Sequence, residues 1–176
     1  EIEIIKSRKV IGSVVKKLDL SICYFKEGRI KLVEEYTNSP VRIVFENKDS
    51  LFYASDIIFN IKIKSKKEFD FFDIDDNYIK TAQFGEKLFS QNLGGFKIVN
   101  VRESNESSKI IIKLHKLKNV VSAYKNRLII SAPGRGSQIV TLSLNDAVKE
   151  KAKDFLNEIV KEYNTVVNRI TLNEKI

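Results

Sequence analysis

The chain has 176 residues, of which 43% are hydrophobic and 10% aromatic, and its formal net charge is +8. This composition indicates a folded globular chain rather than a disordered one, and the length suits one domain with a real core. The sequence contains no run of about 18 apolar residues that would predict a membrane span, and no signal peptide is visible. The chain lacks Met and starts inside an amphipathic pattern, so we expect it to be a fragment of a longer protein.

The first half of the chain is predicted to be a helix followed by short strands. Apolar residues at helical spacing predict a helix over residues 2–18 that ends at Asp19. Runs rich in β-branched and aromatic residues, separated by polar turns, then predict strands. These predicted strands cover residues 21–25, 29–36, 41–46, 59–63 and 69–74, whereas residues 78–89 are ambiguous.

The second half is predicted to alternate strands and turns before a long final helix. A turn is predicted at Gly94-Gly95 and a short helix over residues 118–128. Strands are predicted over residues 96–101, 109–114, 128–132 and 138–144. The final helix, over residues 145–176, is capped by Asn145 or Asp146. Its apolar stripe comprises Val148, Ala152, Phe155, Ile159, Tyr163, Val166 and Ile170.

The order of these elements predicts an α+β fold, with a mainly antiparallel sheet bracketed by an N-terminal helix and a long C-terminal helix. Strands and helices do not alternate strictly, which argues against a doubly wound nucleotide-binding sheet. We treat residues 1–176 as one domain with a β-rich elaboration over about residues 21–101.

Two loop motifs look like ligand sites but fail on closer comparison. The segment from Pro133 to Ser137 lacks the helix start that a phosphate loop needs, so a hairpin is favoured, with Arg135 as a candidate loop contact. Asp73, Asp75 and Asn77 match the opening of a calcium loop, but the match fails at the next position, which needs Gly and is Tyr78. A solvated turn is the favoured interpretation there.

The remaining chemistry-bearing residues form no catalytic constellation. Cys23 is the only cysteine, which excludes intramolecular disulfides and multi-cysteine metal sites, and His115 is the only histidine. Nothing selects two carboxylates facing across a cleft, as a glycosidase needs. We therefore predict no catalytic, cofactor-binding or metal-binding residue, and a binding or scaffolding role.

The positive charge could attract nucleic acid, an anionic lipid surface or an acidic polysaccharide. Basic and acidic residues are interspersed along most of the chain, which favours a solvated surface. Basic residues interleaved with exposed aromatics are not evident, so no nucleic-acid partner is predicted.

Two segments resemble a known family. The segment Glu1-Ile2-Glu3-Ile4-Ile5-Lys6-Ser7-Arg8-Lys9-Val10-Ile11-Gly12, running on to Lys17-Leu18-Asp19-Leu20, resembles the extracytoplasmic domain of chain-length determinant (Wzz-type) polysaccharide co-polymerases, closest to the subgroup fused to a cytoplasmic tyrosine autokinase. The second match runs from Ile139 to Asp146 and on through Lys149–Lys153 and Leu156–Val160. Together they cover about a third of the chain, and the strand that usually precedes the first motif is missing.

The resemblance implies the periplasmic domain of a bacterial inner-membrane protein that controls the chain length or export of a capsular polysaccharide or exopolysaccharide. It implies a homo-oligomer that works with a polysaccharide polymerase or outer-membrane export machinery, and it leaves open contact with the polysaccharide and a kinase domain in the parent. It implies no enzyme activity for this fragment. We further expect Glu1 and Ile176 to lie toward the same, membrane-facing end.

The final helix carries acidic residues at every fourth position from Asp146 to Glu162, beside several lysines, which is either a solvated face or a charged seam between protomers. The candidate oligomer contacts are Arg8, Glu150, Lys153, Asp154, Glu158 and Lys161. The alternatives to this function are a basic nucleic-acid-binding module and a carbohydrate-active enzyme.

Overall fold

The computed structural model describes residues 2–28, 31–48, 50–103, 107–132, 134 and 139–173, and within them the chain is α+β as predicted. The helices are α1 (Ile2–Ile5), α2 (Arg8–Lys17), α3 (Ser50–Ala54), α4 (Leu117–Arg127) and α5 (Lys149–Asn173). The strands are β1 (Ile22–Glu27), β2 (Leu32–Glu34), β3 (Val41–Phe45), β4 (Ile57–Ile63), β5 (Glu68–Phe72), β6 (Tyr78–Gln83), β7 (Leu88–Ser90), β8 (Gly94–Asn100), β9 (Lys109–Leu114), β10 (Leu128–Ser131) and β11 (Thr141–Leu144).

The chain forms two compact units. The first, here called the helical unit, combines the segment up to Leu20 with the segment from Leu117 onward. The second, here called the β unit, is Ser21–Lys116. The β unit is longer than the elaboration predicted over residues 21–101, because it also contains β9.

The predicted N-terminal helix is present but is divided at Ser7. This residue has extended backbone angles, and its hydroxyl accepts a hydrogen bond from the Val10 amide at 3.2 Å, so it caps the start of α2. α2 ends at Lys17, two residues before the predicted stop at Asp19, and Asp19 takes the left-handed conformation (φ 52°) that follows a helix C-cap. The Leu20 amide donates to the Val15 carbonyl at 3.0 Å, which closes a Schellman-type cap.

The core of the helical unit forms where α2 packs against α4 and α5. One face of α2 is fully buried, and Phe155 and Ile159 of α5 are each 0% exposed. The Phe155 ring stacks on Tyr124 of α4 with centroids 4.5 Å apart. The predicted apolar stripe is therefore real, but its burial fades toward the end of α5, where Ile170 is 44% exposed.

The β unit contains two antiparallel sheets that share one core. Their strand orders are β2-β1-β9-β4-β5-β6 and β3-β8-β7. Alternating side chains of both sheets, such as Ile61 and Ile112 in the first and Ile43 and Ile98 in the second, are buried in a common cluster. The Ile43 amide donates to the Tyr24 hydroxyl at 3.0 Å, which ties the sheets together.

The two ends of the β unit lie side by side. Ile22, at the start of β1, pairs with Leu114, at the end of β9. One residue further out, the His115 amide donates to the Ser21 carbonyl at 2.8 Å. The chain therefore enters and leaves this unit at adjacent points.

Three details differ from the sequence predictions. Gly94 and Gly95 are not a turn but the start of β8; the turn precedes them, and Gly94 (φ 67°) closes it in the left-handed region that a short hairpin loop requires. The short helix α3 was not predicted. Of the extended run predicted over residues 29–36, the structure describes residues 31–36, and within these the strand is Leu32–Glu34.

Candidate anion-binding cleft

The surface face of α2 lines a cleft in the helical unit. The buried face of α2 points into the core and consists of Val10, Ile11, Val14 and Val15. The remaining residues of the helix form its second, more exposed face. That second face meets the first turns of α4 at a cleft of about 500 Å³. The lining residues are Arg8, Lys9, Gly12, Ser13, Lys16, Leu117, Lys118 and Val121.

The cleft is positively charged. Four of the eight lining residues are Lys or Arg, and none is Asp or Glu. Arg8, Lys9 and Lys118 are exposed, and no carboxylate among the described residues forms an ion pair with them. Because these three side chains form no ion pair with a described carboxylate, the cleft is able to hold an anion.

Three of these residues are cations placed at helix N-termini, where a positive charge lowers helix stability. Arg8 and Lys9 occupy the first turn of α2 and Lys118 the first turn of α4, and neither helix has an acidic residue in that turn. A cation near the positive end of a helix dipole costs about 0.3–1 kcal/mol at an exposed position. Such local conflicts are concentrated at functional sites in natural proteins, where a ligand or partner can offset their cost.

Gly12 is a further local conflict at the same place. It lies in the interior of α2, where Gly costs about 1 kcal/mol relative to Ala. Packing does not require it, because a Cβ at this position would meet Val121 at an ordinary distance of 3.8 Å. The absence of a side chain instead keeps the floor of the cleft open.

Replacing Gly12 with Ala is expected to raise the free energy of unfolding by about 0.5–1 kcal/mol, because the backbone is helical and the added methyl fits. Urea denaturation followed by circular dichroism measures the change. A matched Ser122→Ala exchange on α4 serves as the reference for an ordinary helix position, with an expected gain of at most about 0.5 kcal/mol. A loss of stability in the Gly12 variant would mean that the backbone at this position cannot carry a side chain.

A second charged cluster joins α2 to α5. The Lys17 ammonium lies 2.5 Å from a carboxylate oxygen of Glu162 and 3.4 Å from one of Glu158. Ser13, four residues before Lys17, also bonds to Glu162. Lys17 thus contacts both Glu158 and Glu162, whereas the earlier α2 residue Ser13 contacts the later of the two, Glu162. Moving back along α2 therefore corresponds to moving forward along α5, which indicates that the two helices are antiparallel.

This contact changes the pKa of both Glu162 and Lys17. The hydrogen bond from Lys17, followed by smaller effects from Ser13 and neighbouring cations, lowers the pKa of Glu162 below its ordinary 4.5. The hydrogen bond to Glu162 raises the pKa of Lys17 above 10.5. The Glu162 side chain is 13% exposed and that of Lys17 is 49% exposed, so solvent screens the pair from one side.

The Glu162→Gln variant is expected to lose about 0.5–1 kcal/mol of stability near neutral pH, with the loss disappearing in acid. A carboxyl with a lowered folded-state pKa stabilises the protein above its unfolded value and stops doing so as the pH falls through the folded value. The difference between wild type and variant should therefore shrink below pH 4.5. Urea titrations from about pH 7 to about pH 3 measure it.

The exposed turn residue Asp75, whose side chain forms no described bond, provides the control. An Asp75→Asn exchange should change stability little at any of these pH values. A Glu162→Gln deficit that persists unchanged in acid would show that shape, not charge, carries the contact.

Asp146 anchors the start of α5. Its side chain is 2% exposed, accepts a hydrogen bond from the Val148 amide at 3.0 Å and pairs with Arg127 at 3.0 Å. The Arg127 guanidinium also lies 4.5 Å from the Tyr124 ring centroid. α5 begins at Lys149, later than predicted, and its first intrahelical hydrogen bond is accepted by the Val148 carbonyl, so Asp146 is not the helix cap. The bond from the Val148 amide to Asp146 closes a turn just before α5, and the pair with Arg127 ties this turn to the end of α4.

The predicted oligomer contacts lie in different surroundings. Arg8 lines the cleft, and Glu158 is only 16% exposed because it bonds to Lys17 and Lys161 of its own chain. Glu150, Lys153 and Lys161 are exposed, whereas Asp154 is half-buried. The acidic row on α5 is thus partly turned inward, and its role as a seam stays a prediction. Arg135 lies outside the described residues, as do Glu1 and Ile176.

The predicted solvated turn at Asp73 is confirmed. One Asp73 oxygen accepts hydrogen bonds from the amides of Asp75 and Asn77, and the other accepts one from the Asn77 side chain. The Asn77 side chain is the main cause of a lowered Asp73 pKa. His115 is a surface residue, 42% exposed and 3.6 Å from Asp56.

The chain matches no protein-family model. No helix in the described ranges is long and apolar enough to cross a membrane. Among the described residues there is also no group of three or more His, Cys, Asp or Glu side chains placed to hold a metal ion.

Proposed function

We propose that the chain is the periplasmic part of an inner-membrane protein that sets the length, or permits the export, of a capsular polysaccharide or exopolysaccharide through homo-oligomeric assembly. The proposal starts from the two segments that resemble chain-length determinants, which lie at opposite ends of the sequence. One observation favours it: both segments fold into the helical unit, where α2 and α5 are bonded through Lys17, Glu158 and Glu162.

This arrangement suits a scaffold that is anchored at both ends of its chain. Antiparallel helices carry the first and last parts of the sequence toward one end of the helical unit, where membrane segments on either side of it could follow. The short helix α1, which precedes α2, also contacts α5. The β unit is then an insertion between the two helices.

The function is tested with the full-length parent in its own cells. Inactivating the gene should shift the length distribution of the surface polysaccharide on a gel, and restoring it should return the original distribution. An unchanged distribution and unchanged surface polysaccharide in the inactivated strain would refute the proposal.

The oligomer is tested separately by analytical ultracentrifugation of the detergent-solubilised parent. We expect an oligomer that is weakened by reversing either exposed charge alone, Glu150 or Lys153, because like charges would then face each other across the seam. Reversing Lys26, which is exposed on β1, is the matched control. A wild-type parent that sediments only as a monomer would rule out the assembly.

A further inference from the structure

We propose that the cleft between α2 and α4 binds acidic sugar residues of a polysaccharide, with the carboxylates of uronic acids held by Arg8, Lys9 and Lys118. This inference rests on the proposed function and gives it a substrate class: an anionic glycan rather than a neutral one. Nothing in the resemblance assigned any of these residues a ligand; it is the fold that brings them to one place.

Three basic side chains from two distant parts of the sequence line the same cleft. Arg8 and Lys9 lie at the start of α2, and Lys118 comes from a distant part of the sequence at the start of α4. All three line one cleft of about 500 Å³ that has no acidic lining residue. This volume is within the range of small-molecule sites in proteins, and the charge selects an anion.

The absence of a side chain at Gly12 leaves an apolar surface exposed at the base of the cleft, here called its floor. Gly12 occupies a helix position where Ala would fit and would be more stable, and its missing side chain leaves space beside the apolar side chains of Leu117 and Val121. A free phosphate ion has no apolar groups that could pack against an apolar floor. A sugar ring presents apolar C–H groups on its faces and a carboxylate at its edge, which matches a floor of this kind beneath a cationic rim.

The lining of the cleft suits a glycan better than a nucleic acid. Proteins that bind single strands without sequence preference combine a basic groove with aromatic side chains on which bases stack. The lining of this cleft contains four cations but no Phe, Tyr or Trp. The cleft can therefore neutralise a polyanion but offers no stacking platform for bases.

The test measures binding to the purified chain by isothermal titration calorimetry. The probes are oligogalacturonate, a neutral maltooligosaccharide of equal length, and a single-stranded DNA oligomer of equal charge. We expect oligogalacturonate to bind at least about tenfold more tightly than either of the other two. Raising the salt from about 0.1 M to about 1 M, which shortens the Debye length from about 10 Å to about 3 Å, should weaken it strongly.

Two variants probe the cleft from different sides. The triple exchange Arg8→Gln, Lys9→Gln and Lys118→Gln should weaken oligogalacturonate binding by about tenfold or more, because three charge contacts are lost. Gly12→Leu keeps every charge but fills the floor, and it should weaken binding to a similar extent. Both proteins should keep the thermal midpoint of the wild type or exceed it, since the exchanges remove helix-destabilising residues.

A matched control removes the same charge elsewhere. Lys26, Lys62 and Lys97 are exposed on strands of the β unit, and their exchange to Gln should change binding by less than about twofold. An equal loss in this control would assign binding to the net charge and not to the cleft. Equal or tighter binding of DNA, or no oligogalacturonate binding at all, would also overturn the site.

The two proposals fail separately. If oligogalacturonate binds in the cleft but the parent has no effect on polysaccharide length, the site stands and the proposed function falls. If the parent sets chain length but the chain binds no acidic glycan, the function stands and this site falls.

Discussion

Replacing Phe155 with Ala is expected to lower the free energy of unfolding by about 3–5 kcal/mol, the largest effect of any single exchange considered for the helical unit. Phe155 is 0% exposed and stacks on Tyr124 with centroids 4.5 Å apart. The exchange removes a buried ring and leaves a cavity, and it also deletes an aromatic pair worth about 0.5–1.5 kcal/mol beyond its area. Urea denaturation monitored through the helical circular dichroism signal measures the loss.

Val160 is the matched control for Phe155. It lies on the same helix but is 45% exposed, so Val160→Ala should change stability by no more than about 0.5 kcal/mol. A Phe155→Ala loss below about 1 kcal/mol would mean that the surrounding helices collapse into the space, and that the position is not central to the packing of α4 against α5.

The second large effect is expected at Asp146. Asp146→Ala removes the acceptor of the Val148 amide hydrogen bond and the buried partner of Arg127 together, so we expect a loss of about 2–3 kcal/mol. Thermal and urea unfolding of the variant measure it. The expected loss in the free energy of unfolding is small for a buried ion pair, because Arg127 is 38% exposed and water can solvate it once the carboxylate is gone.

Asp146→Asn separates the two roles. The amide oxygen can still accept the hydrogen bond from Val148, while the charge facing Arg127 is lost, so we expect a cost of about 1 kcal/mol. Equal losses for the Ala and Asn variants would show that the ion pair carries the whole effect and that the hydrogen bond from Val148 contributes nothing.

The elements with a strong period were predictable from the sequence. The strand over residues 109–114 was predicted with the bounds of β9, because a short run rich in β-branched residues is flanked by polar residues. The buried face of α2 and the central part of α5 follow from helical spacing. The break at Ser7 could have been found, since Ser is a preferred helix cap and apolar residues follow it.

The candidate site was not predictable to the same degree. Arg8, Lys9 and Lys118 are ordinary surface cations when the sequence is read locally, and the overall charge is interspersed with acids along the chain. Only tertiary packing of α2 against α4 collects them in one cleft. The local signal that could have drawn attention is Gly12, an isolated glycine within an otherwise regular helical pattern.

The bond between Ser21 and His115 has a consequence for how the molecule assembles. The helical unit is built from two stretches separated by the whole β unit, and closing a loop of that length in a disordered chain carries an entropic cost that rises with its logarithm. Once the β unit has folded, its adjacent ends deliver Leu20 and Leu117 as if a short hairpin joined them. Folding of the β unit thus lowers the loop-closure entropy that assembly of the helical unit would otherwise cost, and a short linker joining Leu20 to Leu117 is expected to do the same.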